Sequence, residues 1–240
     1  MLGAMYRPLI VAALFALAPS AAAAQRSYIV TDFDRVRVDG TFDVTLVVGD
    51  RGASGTAQGD AKVLTNLDIS VENGTLVVRK RLRNWGDPRD DAGAAPRVTL
   101  TTRQLRSATV IGGGKLAISG KLQGRQIDFQ VTGNGSIDAS GINADEVQVT
   151  LIGGGRVALV GHAGHARLLS DGAGNIAASP LDVGDVLIRL DGYGEIRAHA
   201  RYTADLTSNG LGRIVVSGTP KCVVRKQTGG PIQCGTRPAN

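Results

Sequence analysis

Gly112-Gly-Gly-Lys-Leu116 returns along the chain as Gly133-Asn-Gly-Ser-Ile137, Gly153-Gly-Gly-Arg-Val157, Gly172-Ala-Gly-Asn-Ile176, Gly192-Tyr-Gly-Glu-Ile196 and Gly210-Leu-Gly-Arg-Ile214. Successive first glycines lie 21, 20, 19, 20 and 18 residues apart. So constant an interval marks a repeat architecture. The corner glycines are Gly112 and Gly114, Gly133 and Gly135, Gly153 and Gly155, Gly172 and Gly174, Gly192 and Gly194, and Gly210 and Gly212. Glycine suits a sharp reversal because it adopts positive φ and leaves room for a backbone stacked against it.

Aligning the units on these glycines exposes the core. Four residues before the first Gly come Ala108, Phe129, Val149, Leu168, Ile188 and Leu206, and two before come Val110, Val131, Leu151, Ser170, Leu190 and Ser208. Four after come Leu116, Ile137, Val157, Ile176, Ile196 and Ile214, and six after come Ile118, Ala139, Leu159, Ala178, Ala198 and Val216. Alternation with period 2 on both sides of the corner reads as strands with one buried face. The position between, at Lys115, Ser136, Arg156, Asn175, Glu195 and Arg213, faces water. A second turn is expected at Gly120, Gly141, Gly161, Pro180, Ala200 and Gly218. One such unit cannot bury its apolar face alone, but stacked units share a continuous core. The fold class is therefore all-β, a parallel β-solenoid with coils of about 20 residues. Blades of about 40–45 residues rule against a propeller, while an antiparallel sandwich shares the alternation and stays open.

Outward from the repeat, Val36, Val38, Phe42, Val44, Leu46 and Val48 alternate around Asp39-Gly40, and Asn73-Gly74 signals a hairpin. Residues 25–80 thus read as an N-terminal cap and first coils, and residues 97–219 as the repeated coils. Residues 81–96 are a polar excursion carrying the single tryptophan, Trp85. Residues 220–240 hold both cysteines, Cys222 and Cys234, expected to form a disulfide in an oxidising compartment and to close the solenoid's end. Residues 25–240 make one domain.

The first 24 residues carry one charge, Arg7, then the apolar run Leu9 to Ala18 and small residues at Ala21 to Ala24. That order predicts a secretory signal peptide cleaved before Gln25. The apolar run is short for a bilayer span, and no later run is apolar enough to cross, so no membrane span is expected after cleavage. The expected location is the periplasm or outer surface of a bacterium. The formal net charge of +6 is spread along the chain, so nucleic acid is not an expected partner.

The chemistry-bearing candidates are few. Gly112-Gly-Gly-Lys-Leu lacks the Gly-Lys-Ser/Thr ending of a phosphate loop, so no nucleotide cofactor is expected. His162-Ala-Gly-His165 has loose metal spacing but no completing Cys or Glu, and no metal is assigned to it. The column just before the corner ends in Asp171, Asp191 and Asn209. On adjacent coils about 4.8 Å apart these residues could hold an ion or a glycan, or two carboxylates could act as in a retaining glycosidase. Asx-Gly is also ordinary turn chemistry. No catalytic residues are assigned, and the chain is not expected to be an enzyme.

Phe33-x-x-Val36-x-Val38-x-Gly40-x-Phe42-x-Val44, Glu72-Asn-Gly-Thr-Leu76-x-Val78 and the Gly-x-Gly-x-Ile units resemble the head GIN domain family of autotransporter-type adhesins. The resemblance spans most of the chain after residue 24. It implies a pectin-lyase-like, right-handed β-helix, an adhesion role and no known catalytic residues. Nothing after Gly218 could form a translocator barrel, so this chain departs from a self-transporting architecture. The expected function is a non-enzymatic envelope module for adhesion or interaction, with a protein or polysaccharide of the envelope or extracellular space as partner. A carbohydrate-binding or carbohydrate-active β-helix is the alternative. A self-assembling structural element is the third reading, since open coil ends can associate.

Overall fold

The computed structural model describes residues 24–81, 95–226 and 230–236. The expected signal peptide (apart from Ala24), Trp85 and most of the polar excursion lie outside these residues. In chain order the elements are β1 (Ala24–Tyr28), β2 (Arg35–Asp39), β3 (Asp43–Val48), β4 (Ser54–Gly59), α1 (Ala61–Thr65), β5 (Leu67–Glu72), β6 (Thr75–Lys80), β7 (Arg97–Thr102), β8 (Ser107–Gly112), β9 (Lys115–Gly120), β10 (Leu122–Gly133), β11 (Ser136–Ile152), β12 (Arg156–Gly172), β13 (Asn175–Gly192), β14 (Glu195–Ser208), β15 (Arg213–Gly218), β16 (Lys221–Lys226) and β17 (Ile232–Thr236). They wind into a β-solenoid of about six turns that is nearly all strand.

From β8 to β17 the coils stack in chain order with parallel pairing. The register holds at the Gly-x-Gly corner, where Gly112 pairs with Gly133 and Gly172 with Gly192. All four apolar columns identified from the repeat are buried, every member at 2% exposure or less. Filling such a position with Leu or Ile contributes about 1.5–3 kcal/mol relative to leaving it in water. The corner glycines carry a steric demand as well. A Cβ on Gly155 would stand 2.5 Å from the Gly135 carbonyl oxygen and 2.8 Å from Val131 Cγ1.

The second turn behaves differently. Gly141 is skipped between the pairs Ser140–Val160 and Ile142–Gly161, and Ala200 pairs with Val183 and Gly218 rather than with Pro180. Repeat lengths vary by up to three residues, and bulges at this turn absorb the difference while the first corner stays aligned. A third bend, not foreseen from the sequence, falls at Asp145, Gly164 and Gly184, which interrupt the ladders of β11, β12 and β13. The central coils are therefore three-sided. Their short side buries Ile142, Ala163, Leu181 and Val183.

The N-terminal coils are stacked out of chain order. β2 and β3 form one coil through Gly40, whose φ is +117°. On one side it pairs with β8 and β9, and on the other with β6 and β7. Beyond β6 and β7 the pairing turns antiparallel: β5 on β6, β4 on β7, and β1 on β4. The β5–β6 hairpin turns on Asn73 (φ 50°) and Gly74 (φ 74°), both left-handed as the Asn-Gly signal requires. Asp60 caps α1 by accepting from Lys62 N at 2.8 Å, and Leu64 and Leu67 are buried against the core. At the other end Cys222 and Cys234 are disulfide-bonded. Cys222 stacks on Ala204 and Cys234 on Val216, both inward columns, so the bridge lies across the open end of the solenoid, with Cys222 exposed and Cys234 half-buried.

Candidate functional site

The pre-corner column comes together in register. Ile111, Thr132, Ile152, Asp171 and Asp191 are successive strand partners across β8, β10, β11, β12 and β13. Asn209 joins through its side chain: its Nδ2 donates to Asp191 Oδ1 at 2.5 Å. Arg189 Nε donates to the other oxygen, Asp191 Oδ2, at 2.8 Å. Burial pushes the Asp191 carboxyl up, but the bonds from Arg189 and Asn209 and the Arg189 charge outweigh it and hold the group below the usual carboxylate range. A glycosidase acid needs the opposite, a carboxyl kept protonated near neutrality. Asp171 is exposed next to it. The Arg189–Asp191 pairing is a recurring device of these outer faces. Arg37 and Asp39 repeat it at 3.0 Å, and Glu195 and Arg197 repeat it at 3.0 Å, because residues two apart point to the same side of a strand.

The histidines are distributed along the short side and its bend. His165 Nδ1 lies 3.4 Å from Asp185 Oδ2, and Asp185 Oδ1 accepts from Thr203 at 2.5 Å. His199 Nδ1 is 3.0 Å from Ser217 Oγ, and Arg201 approaches Asp182 at 3.2 Å. His162 and His165 occupy different columns, beside Asp182 and Asp185 respectively. Among the described residues, no group of three or more His, Cys, Asp or Glu could hold a metal ion.

The feature that the repeat analysis did not single out lies on the corner itself. The flanking glycines leave one side chain per corner to project outward. That central position reads Gly113, Asn134, Gly154, Ala173, Tyr193 and Leu211. Bulk is confined to the last two, where Tyr193 is 75% and Leu211 62% exposed. Beside them a groove of about 550 Å³ is lined by Asn175, Glu195, Arg197 and Arg213, with Pro231 at its edge. The sequence carries a signal for it, an aromatic followed by a leucine at the end of this column, although the charged wall comes from other columns.

The family described as "Putative auto-transporter adhesin, head GIN domain" matches residues 32–220. Among solved structures, a Bacteroides fragilis protein called a "putative adhesin" superposes with a TM-score of 0.81 at 24% identity, covering 90% of this chain and 98% of that one. A Parabacteroides distasonis "putative lipid binding protein" gives 0.72 at 18% identity, covering 89% and 97%. A "putative adhesin" of the same species gives 0.66 at 18% identity, covering 88% and 96%. At these identities the likeness is one of fold. No curated protein matches the chain significantly.

Proposed function

Because the chain belongs to the head GIN domain family over residues 32–220, we propose that it is an exported, non-enzymatic adhesion module of the bacterial envelope. Its partner is a protein or polysaccharide of the envelope or extracellular space. The observation that carries the reading is the outer surface of the coils. There, charged and polar side chains stand at fixed spacing on a rigid ladder, and Asp191 at the corner is tied to Arg189 and Asn209 rather than poised as an acid. Such a surface binds through many shallow contacts, which suits repeat proteins with extended faces. Residues 1–24 direct export to the periplasm or outer surface, and no helix among the described residues is long and apolar enough to cross a membrane.

The test has two arms. The full chain is expressed in a bacterial host, which is fractionated, and the protein's N-terminus is sequenced. A chain beginning at Gln25 in the periplasmic or surface fraction is expected, and a cytoplasmic chain retaining Met1 overturns export. The recovered protein is then offered to immobilised envelope polymers and extracellular-matrix proteins. Saturable retention on at least one is expected, and absence of retention on all of them overturns adhesion.

A further inference from the structure

We infer that the groove beside Tyr193 and Leu211 is a subsite for an acidic sugar ring, with Tyr193 as stacking platform and Arg213 as reader of the sugar's carboxylate. The assignment rests on the adhesion reading and supplies that reading with a ligand class and an address.

Three observations lead there. First, exposure: Tyr193 is the largest exposed side chain of the corner column, held on a backbone whose amides are already engaged. Gly194 N donates to Gly172 O at 3.0 Å, Gly212 N to Gly192 O at 2.9 Å and Arg213 N to Gly194 O at 2.9 Å. With those groups spent on the ladder, a peptide cannot add as a further strand here, and recognition falls to side chains. An aromatic side chain, with only two χ angles to settle, loses little freedom on binding and offers its apolar face to a ring's C–H surface.

Second, chemistry. The groove is open and its wall is charged, which disfavours a lipid tail. Glu195 is neutralised by Arg197, Nε to Oε1 at 3.0 Å. Arg213 has no carboxylate partner among the described residues, so the groove carries one uncompensated guanidinium. A guanidinium fork matches a carboxylate in two-point geometry.

Third, size. About 550 Å³ falls within the range of small-ligand sites and accommodates one or two sugar rings rather than a folded partner. Tyr202, also 62% exposed, is by contrast covered by its own neighbour, with the Arg201 guanidinium 5.2 Å from the ring centroid. The Tyr193 face is not occupied in that way among the described residues.

The experiment is saturation-transfer NMR and calorimetry on the recovered protein. The acidic arm is oligogalacturonate, hyaluronan oligosaccharides and sialyllactose, and the neutral arm is cello-oligosaccharides and lactose. Transfer to at least one acidic probe is expected, weakened roughly tenfold or more by Tyr193→Ala and reduced by added salt. Arg213→Ala should erase the preference for acidic over neutral probes while retaining residual stacking. Both side chains are exposed, so unchanged melting curves will show that the variants fold. Silence toward every acidic probe overturns the inference, as does equal binding by wild type and Tyr193→Ala. If Tyr193→Ala still adheres to envelope polymers as the wild type does, the sugar site falls and the adhesion reading stands. If neither protein adheres to anything, the adhesion reading falls and the subsite with it.

Discussion

Replacing Gly155 by alanine isolates the demand that stacking places on a corner. The new Cβ would sit 2.5 Å from Gly135 O, 2.8 Å from Val131 Cγ1 and 3.2 Å from Gly133 O. Two of these neighbours are backbone, so no rotamer change relieves the contact, and the coils must part by several tenths of an ångström. The same spot holds two ladder bonds, Arg156 N to Gly135 O at 3.0 Å and Asn175 N to Gly155 O at 3.0 Å. Overpacking costs about 1–3 kcal/mol, and each of the two weakened bonds adds about 0.5–1 kcal/mol, for a loss of about 2–5 kcal/mol. For a domain of this size that lowers the melting midpoint by about 4–20 °C. Gly49 is the control, because a Cβ there meets nothing within 4 Å. Its alanine variant should stay within about 1 kcal/mol of the parent and can even gain stability by restricting the unfolded chain. Thermal and urea unfolding followed by circular dichroism compare the two, using midpoints because a stack of repeats need not unfold in one step. Equal midpoints for the Gly155→Ala and Gly49→Ala variants would refute the steric account of the corner.

Three further outcomes are expected. Changing both Cys222 and Cys234 to serine should cost about 3 kcal/mol by the loop-entropy relation, and faster amide exchange over residues 221–236 would locate the loss in the last coil. Ser170 is buried at 2% with its hydroxyl unpaired, so Ser170→Ala should leave stability unchanged or raise it by up to about 1 kcal/mol, read as a urea midpoint. The Asp191 carboxyl is held below its ordinary value. Its stabilising contribution is therefore complete above the unfolded carboxylate range near pH 4 and is lost as pH falls through the folded value. The Asp191→Asn variant should show a smaller drop in melting midpoint between neutral and acidic pH than the parent, and identical slopes would remove Asp191 from the acid response.

The corners and the buried columns were legible because two independent constraints act on the same residues. Inward positions must be apolar, giving period 2, and the tight reversal excludes side chains, giving glycine at a fixed interval. At the second turn the backbone also approaches closely at Gly120, Gly141, Gly161 and Gly218, but bulges there take up spare residues, so Pro180 and Ala200 align in sequence but not in space. The third bend passed unnoticed because glycine marks it only twice, at Gly164 and Gly184, with Asp145 in the equivalent place one coil earlier. The order of the first coils was hidden for another reason. Strand neighbours in a parallel stack are chosen by pairing, and nothing in Val36 or Val38 states that β6 and β8 will lie on either side. At the corner, the register of Asp171 and Asp191 followed from the repeat. Arg189 as the partner of Asp191 required side-chain geometry, as did the groove that joins Tyr193 to Glu195, Arg197 and Arg213.

The interposed β2–β3 coil also bears on the order of assembly. It is synthesised before both of the layers that flank it, yet it gains a partner on each side only when β6, β7, β8 and β9 have all appeared. A nascent chain shorter than about the first half therefore cannot complete even one interior layer, and closing that block involves long loops and an entropic barrier. Every later coil needs only the one laid down just before it. The N-terminal block is in effect a template that locks once, after which growth proceeds by simple zippering, one corner at a time, toward the disulfide.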